Sequence, residues 1–329
     1  MAQRYGFEIE CFGLTRDQLR EALADVDGST YQSKSGNDIY GYYESKQLPV
    51  RGLAADCPNG KVWIAARDGT IHNSSGRGIA HEIISPVLHG VAGLAHLKKI
   101  MKALKRAGAT INATCGLHVT FDLNHNSRMI RKSIAGKHQV LLRLVEAYDY
   151  FWAEGFCALV PSSRRQGMPN YNGYAPRPNI TNSFVGENTN FRAYNLGRGC
   201  VNLGNYGTNG TVEFRQHGGT MNGHKIETFA LLVHRLSSWA MNENHPNFGK
   251  DLRTFSPDID GLLEMLNETG TVLGGRVRTR RDEVLAANST SRVTMPCPVR
   301  RGYRNQFEEY QGRLTSLICG DAACCGGAY

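Results

Sequence analysis

No run of 18 apolar residues occurs in the chain. The longest candidate, residues 78–97, is interrupted by His81, Glu82, Pro86 and His89, so neither a membrane-spanning helix nor a membrane partner is expected. A secretory signal needs an apolar block near the start, where Arg4, Glu8 and Glu10 stand instead. Cysteine supplies no framework: nine residues, odd in number and scattered, exclude a disulfide-stapled fold and are expected to be mostly reduced. A soluble cytoplasmic protein is the expectation. Two nucleotide-binding signatures are also missing. There is no G-x-x-x-x-G-K followed by Ser or Thr, and no G-x-G-x-x-G, so neither a P-loop nor a Rossmann unit is present.

What the chain does have is material for a core, with 41% hydrophobic residues in 329, enough for one large domain or two smaller ones. The net charge of +9 suits an anionic partner, a nucleotide or a nucleic acid. Basic residues concentrate at 98–106, 128–137, 276–281 and 298–304. The first two read as solvated helical faces, and the run at 276–281 has no aromatic interleaving.

Three stretches share one pattern. In residues 5–11, Phe7 and Ile9 alternate with Glu8 and Glu10. In residues 115–122, Leu117, Val119 and Phe121 alternate with His118, Thr120 and Asp122. In residues 211–217, Val212 and Phe214 alternate with Glu213 and Arg215. Period-2 alternation predicts strands with one apolar and one polar face. Taken singly, the Glu213/Arg215 face is more often solvated surface, the Glu8/Glu10 face suits an exposed edge strand as readily as a site, and His118 is more often a satisfied structural histidine.

Between them, Thr15 and Gln18 have capping-box spacing before a short helix. Residues 27–56, with Tyr31, Tyr40, Tyr42 and Tyr43, read as a hairpin or a mobile flap. Residues 62–66 form a short strand followed by an Asp68-Gly69 turn, and the strand carrying His81 and Glu82 is ended or put at an edge by Pro86. Amphipathic helices are predicted from Val91 to Leu104 with Gly108 as stop, through Leu141, Leu144, Val145 and Tyr148, and through Ile226 to Trp239. Residues 161–210 are loop-like, with Arg164 and Arg165 able to hold phosphate or carboxylate. Beyond residue 245 the pattern weakens, although 259–266 reads as helix. Cys297, Cys319, Cys324 and Cys325 have no standard zinc spacing, so a loosely packed tail is the expectation there.

Helices with one apolar stripe, interspersed with such strands, predict an α+β fold: a largely antiparallel sheet with helices on one face and a polar trough on the other. Glu8, Glu10, His118, Glu213 and Arg215 would point into that trough, joined by Glu82 if its strand enters the sheet. Converging carboxylates repel unless cations neutralise them, and hard oxygen ligands favour Mg2+ or Mn2+ over zinc. With an adjacent Arg and His, the reading is a metal–nucleotide site.

The ordered set Gly6-Phe7-Glu8-Ile9-Glu10, Asp68-Gly69-Thr70, Glu82-Ile83-Ile84-Ser85-Pro86, Cys115-Gly116-Leu117-His118-Val119, Ser163-Arg164-Arg165 and Thr211-Val212-Glu213-Phe214-Arg215 through Thr220 resembles the successive motifs of the amidoligase family. This is a branch of the glutamine synthetase-like and glutamate–cysteine ligase-like carboxylate–amine ligases. The resemblance runs from residue 6 to about 240. It implies a curved sheet forming a funnel or half-barrel with helices outside, like the glutamine synthetase catalytic domain. A catalytic core at 1–250 and a C-terminal extension at 251–329 would follow.

It further implies ATP-dependent amide formation through an acyl phosphate with Mg2+. Glu8, Glu10, Glu82 and Glu213 would be metal ligands, and His118 would face the phosphates or a metal. Arg215 would contact the transferred phosphoryl group, and Arg164 and Arg165 would hold substrate carboxylate or ATP phosphate. Asp68 would hold the incoming amine or make the turn. The partners would be a small-molecule, peptide or protein carboxylate and an amine. The family often has a second histidine where Thr120 stands. Residues 198–203, containing Asn202, and residues 191–196 compete for the strand before the last motif, so Asn202 is left unassigned. Two other readings use the same acids: a metal-dependent phosphodiester hydrolase or nucleic-acid-binding protein, and a non-catalytic nucleotide-binding relic.

Overall fold

The first alternating stretch becomes the 11-residue strand β1 (Arg4–Leu14), near the middle of the sheet. In the computed structural model the described residues are 4–27, 30–33, 39–49, 60–73, 76–152, 154–160 and 200–289. After β1 come α1 (Arg16–Asp27), β2 (Thr30–Ser33), β3 (Ile39–Glu44), β4 (Val62–Ala66), β5 (Ile79–Ile84), β6 (Leu88–His89) and α2 (Gly90–Ala107). The chain continues through β7 (Gly116–Asp122), α3 (Ser127–Ile130), α4 (Ile134–Tyr150), β8 (Val201–Asn202), α5 (Tyr206–Asn209), β9 (Thr211–Gly218) and α6 (Gly223–Met241). Two more helices follow, α7 (Ile259–Met265) and α8 (Val272–Ser289).

The strands form one antiparallel sheet in the order β2-β3-β4-β5-β1-β7-β9-β8, with short β6 also paired to β1. It is open, with β2 and β8 at its edges among the described residues. Because side chains alternate across a strand, Phe7, Ile9, Leu117, Val119, Phe121, Val212 and Phe214 all share the buried face. There they meet Leu94 and Leu97 of α2, Leu144 and Tyr148 of α4, and Ile226 and Val233 of α6 in one apolar core. The other face is left to the polar side chains.

Local signals act where the sequence puts them. Thr15 and Gln18 form the reciprocal capping box that starts α1: Thr15 N–H donates to Gln18 Oε1 at 2.9 Å, and Gln18 N–H to Thr15 Oγ1 at 3.1 Å. Gly108 ends α2 in the left-handed conformation, φ 103°, which suits glycine. Pro86 ends β5, which is an interior strand and not an edge. β2 (Thr30–Ser33) and β3 (Ile39–Glu44) pair antiparallel as the two arms of a hairpin built into the sheet, with Tyr40 and Tyr43 buried and Tyr40 hydrogen-bonded to His81. Of the two readings for that segment, the hairpin is the one found among the described residues.

The weak pattern beyond residue 245 concealed α8. Only Leu273, Val277 and Val284 mark its inner face across 18 residues, and they are buried. Its arginines are not a free basic run: Arg276 pairs with Glu227 at 3.1 Å, and Arg278 and Arg281 pair with Asp260 at 2.7 and 2.9 Å. Ile259, Leu262 and Val277 join the same core as the sheet. The cysteines at 297, 319, 324 and 325 lie outside the described residues.

One core residue makes the fold acid-sensitive. His234 of α6 sits against Phe121, ring centroids 5.8 Å apart, and its Nδ1 has no hydrogen-bond partner among the described residues. Burial, with the nearby Arg235 charge, pushes its pKa down to about 4. A depressed folded-state pKa contributes stability above the ordinary value near 6.5 that is lost as pH falls toward 4. Unfolding free energy should therefore drop by about 2 kcal/mol between pH 8 and pH 5 from this group. Urea melts of wild type and His234→Phe at both pH values check it; equal pH dependence in the two proteins refutes it.

Candidate active site

Sheet register brings the predicted residues together. Glu10 is opposite Glu82 across β1 and β5, Glu8 is opposite His118 across β1 and β7, and Glu213 of β9 lies between Thr120 and Asn202. All are on the face away from the helices. His118 is the hub, its side chain only 2% exposed. Its Nδ1 lies 2.9 Å from Glu8 Oε2 and 3.2 Å from Glu213 Oε1, and its Nε2 lies 3.5 Å from Glu10 Oε1.

Each carboxylate has a distinct setting. Glu10 Oε2 accepts the Gly116 backbone N–H at 2.5 Å, which fixes it across the β1–β7 pair. Burial pushes Glu82 up to about 8, reinforced by the neighbouring charges of Glu8, Asp68 and Glu10 and a hydrogen bond to Glu8. Burial would also raise Glu8, but its hydrogen bond to His118, the charges of His118 and Arg215, and the bond with Glu82 outweigh it and hold the carboxyl below its ordinary value. Two hydrogen-bonded acids on neighbouring strands thus sit on opposite sides of neutrality, Glu8 held ionised and Glu82 held protonated.

Glu213 is gripped from both sides. Its Oε1 accepts from Arg215 Nη1 at 2.5 Å, and its Oε2 accepts from Asn202 Nδ2 at 2.8 Å. Asn202 is itself fixed, because its Oδ1 accepts the Gly204 N–H at 2.8 Å. Val201–Asn202 is the strand beside β9 among the described residues, which puts Asn202 opposite Glu213; the competing candidate, residues 191–196, lies outside the described residues. Asn202 is the site residue that sequence reasoning left unassigned; a two-residue strand has no periodicity to reveal it. The only signal was an Asn within an apolar pair shortly before the last motif.

A β-bulge accounts for His217, and with it for the helix-side position of Gln216. Val119 faces Phe214 while Leu117 faces His217, so β9 carries one extra residue there. The extra residue turns His217 away from the trough, to pack on Phe229 of α6. Gln216 is also on the helix side, where its Oε1 accepts from Tyr148 Oη and its Nε2 donates to Cys157 Sγ. Neither belongs to the trough.

Asp68 makes the turn after β4, accepting from Thr70 N–H and Thr70 Oγ1 at 2.7 Å, and its charge also reaches Glu82. Arg164 and Arg165 lie outside the described residues. A metal ion could be held where Glu8, Glu82 and His118 each offer a ligand atom, all within 4.8 Å of one another. The donor set fits a hard divalent cation, since a cation would offset both the burial and the added repulsion that push Glu82 up. Among the described residues no helix is long and apolar enough to cross a membrane.

A family model described as "Putative amidoligase enzyme" matches residues 1–237. No curated protein sequence matches the chain. The matched span takes in β1, β5, β7 and β9 and every trough residue from Glu8 to Arg215. The family's description is that of a ligase-type enzyme, and the chain belongs to this amidoligase family.

Proposed function

We propose that the protein is an ATP-dependent carboxylate–amine ligase that uses Mg2+ or Mn2+ and works through an acyl phosphate. The observation that carries this is the convergence of Glu8, Glu10, Glu82 and Glu213 on His118, with Arg215 fixed beside them.

In the proposed reaction a substrate carboxylate oxygen attacks the γ-phosphorus of ATP, the bond to the β-phosphate oxygen breaks, and ADP leaves. The amine nitrogen then attacks the acyl carbon, the C–O bond to phosphate breaks, and phosphate leaves with amide formation and loss of the amine proton. Both partners of the first step are anions, so the protein's work is charge neutralisation and in-line placement. A divalent cation held by Glu8, Glu82 and His118, with Glu10 and Glu213 nearby, would supply neutralising charge at the phosphates. Arg215 would donate to the transferred phosphoryl group, and its ion pair with Glu213 keeps the guanidinium aimed across the trough. Asn202 holds Glu213 in that geometry.

Mg2+ or Mn2+ at 100 times its Kd should stabilise the protein by about 2.7 kcal/mol, seen as a rise in melting temperature. Glu8→Gln and Glu82→Gln should each remove most of that rise while the proteins remain folded. The function itself is tested by ADP release across carboxylate–amine pairs. ADP must appear only when both substrates and the metal are present; phosphodiester cleavage without ATP would replace this reading with a hydrolase.

A further inference from the structure

Beyond the acid cluster the open face of the sheet carries an apolar row, with Glu44 exposed at its outer margin on β3. Directly paired residues share a face, so the register draws a row across it: Gln32 opposite Tyr42, Tyr42 opposite Ile64, Ile64 opposite Ile84, Ile84 opposite Glu8, and Glu8 opposite His118. Their sequence neighbours Tyr43, Trp63, Ala65 and Ile83 point the other way, into the core, at 0–1% exposure. Tyr42, Ile64 and Ile84 are only half-buried and stand outside that core. Opposed side chains are about 5 Å apart, so these three make an apolar strip of about 10–15 Å that runs directly into Glu8.

We propose that this strip is a subsite for an apolar side chain on the carboxylate substrate. The inference rests on the ligase reading above and gives it a substrate class: an amino acid or peptide-like carboxylate bearing an aliphatic or aromatic group. The strip ends where the acid must meet the metal and phosphate, so a carboxylate head at Glu8–Glu82–His118 leaves its side chain over Ile84 and Ile64. A purine base is a poorer occupant. The strand backbones are committed to the ladder, Ile64 and Ile84 have no donor or acceptor, and the Tyr42 hydroxyl and Gln32 amide lie at the end of the row away from Glu8. A base laid over the two isoleucines beside Glu8 would leave its ring nitrogens and amino group unmet. An aliphatic or aromatic side chain has no such requirement, and every buried methylene favours it.

The test uses the full chain with ATP, Mg2+ and hydroxylamine as the amine. Glycine, alanine, leucine and phenylalanine are compared with serine and aspartate as carboxylates, reading ADP release and hydroxamate. Melting shifts with the same compounds are read in parallel. Leucine and phenylalanine should exceed serine and aspartate in kcat/KM by 10-fold or more, the scale on which apolar pockets discriminate. Ile64→Ser should raise KM for leucine about ten-fold at unchanged kcat, and Ile64→Val should retain the wild-type preference. Preference for serine or aspartate overturns the subsite. So does an Ile64→Ser variant that melts lower with its KM unmoved, which makes the row packing only. If no apolar member gives turnover or a melting shift while Mg2+–ATP still protects the protein, the subsite fails and the ligase reading stands. Loss of Mg2+–ATP protection in the wild type removes both.

Discussion

Glu213→Gln is expected to lower ADP formation by roughly 10^3-fold while costing only about 1–2 kcal/mol of stability. The carboxylate uses both oxygens: Oε1 takes Arg215 and faces His118, and Oε2 takes Asn202. Glutamine has one oxygen and one NH2, so one of the two flanking donors must meet another donor. Asn202 cannot turn its amide to help without giving up the Gly204 N–H. One satisfied contact is therefore lost, which sets the modest stability cost. The larger effect is on Arg215. Without its counter-charge the guanidinium is no longer aimed across the trough, and an arginine at a transferred phosphoryl group is worth 10^3 or more in rate. Initial rates of ADP release and thermal melts on the same preparation separate the two effects. If melting falls sharply while turnover per folded molecule survives, Glu213 is a structural ion-pair partner and the assignment is wrong.

The trough was legible because its three inner strands alternate charge with apolar residues at period 2, and nothing in a helix does that. Once Phe7, Val119 and Phe214 were placed on one face, Glu8, His118 and Glu213 had to share the other. Registers were not legible. That Glu10 faces Glu82, and Glu8 faces His118, comes from long-range pairing, which no local spacing encodes. The bulge in β9 was hidden for a related reason: its local sequence Arg215-Gln216-His217 looks like a continued strand, and only the partner strand reveals the extra residue. The tyrosine-rich hairpin stayed ambiguous because tyrosine suits both a buried face and a wet loop. Helix α8 was missed because three buried apolar residues among arginines and acids make no stripe. What seats it is the burial of Leu273 and Val277 in the shared core, with ion pairs to Glu227 of α6 and Asp260 of α7 at its surface, and these are tertiary facts.

Gly78→Ala should cost about 3 kcal/mol and weaken metal binding as well, although Gly78 touches none of the acids. Gly78 has φ +62°, and an added Cβ would fall 2.3 Å from the Leu14 carbonyl oxygen and 2.6 Å from the Gly13 carbonyl carbon. Both neighbours are backbone and cannot swing aside. This close approach seats the start of β5 on the end of β1, where Leu14 pairs with Ile79 across a register irregularity. His81 Nε2 reaches the same Leu14 oxygen at 2.9 Å. Glu82 is the next residue along β5 and is opposite Glu10. Pushing Ile79 outward therefore tilts the strand that carries Glu82, and the ligand atoms of Glu8, Glu82 and His118 separate. Gly76 provides the control. It has φ +64° but nothing within 4 Å of an added Cβ, so Gly76→Ala should show only the left-handed backbone strain, about 1 kcal/mol. Melting temperatures of the two variants, with and without Mn2+, read both effects. Gly78→Ala should melt roughly 5–10 °C lower and lose much of the Mn2+-induced rise, whereas Gly76→Ala should keep the full rise. Equal losses in the two variants would mean that the Gly78–Leu14 approach does not hold β5 against β1, and that the acids are aligned by the remaining ladder alone.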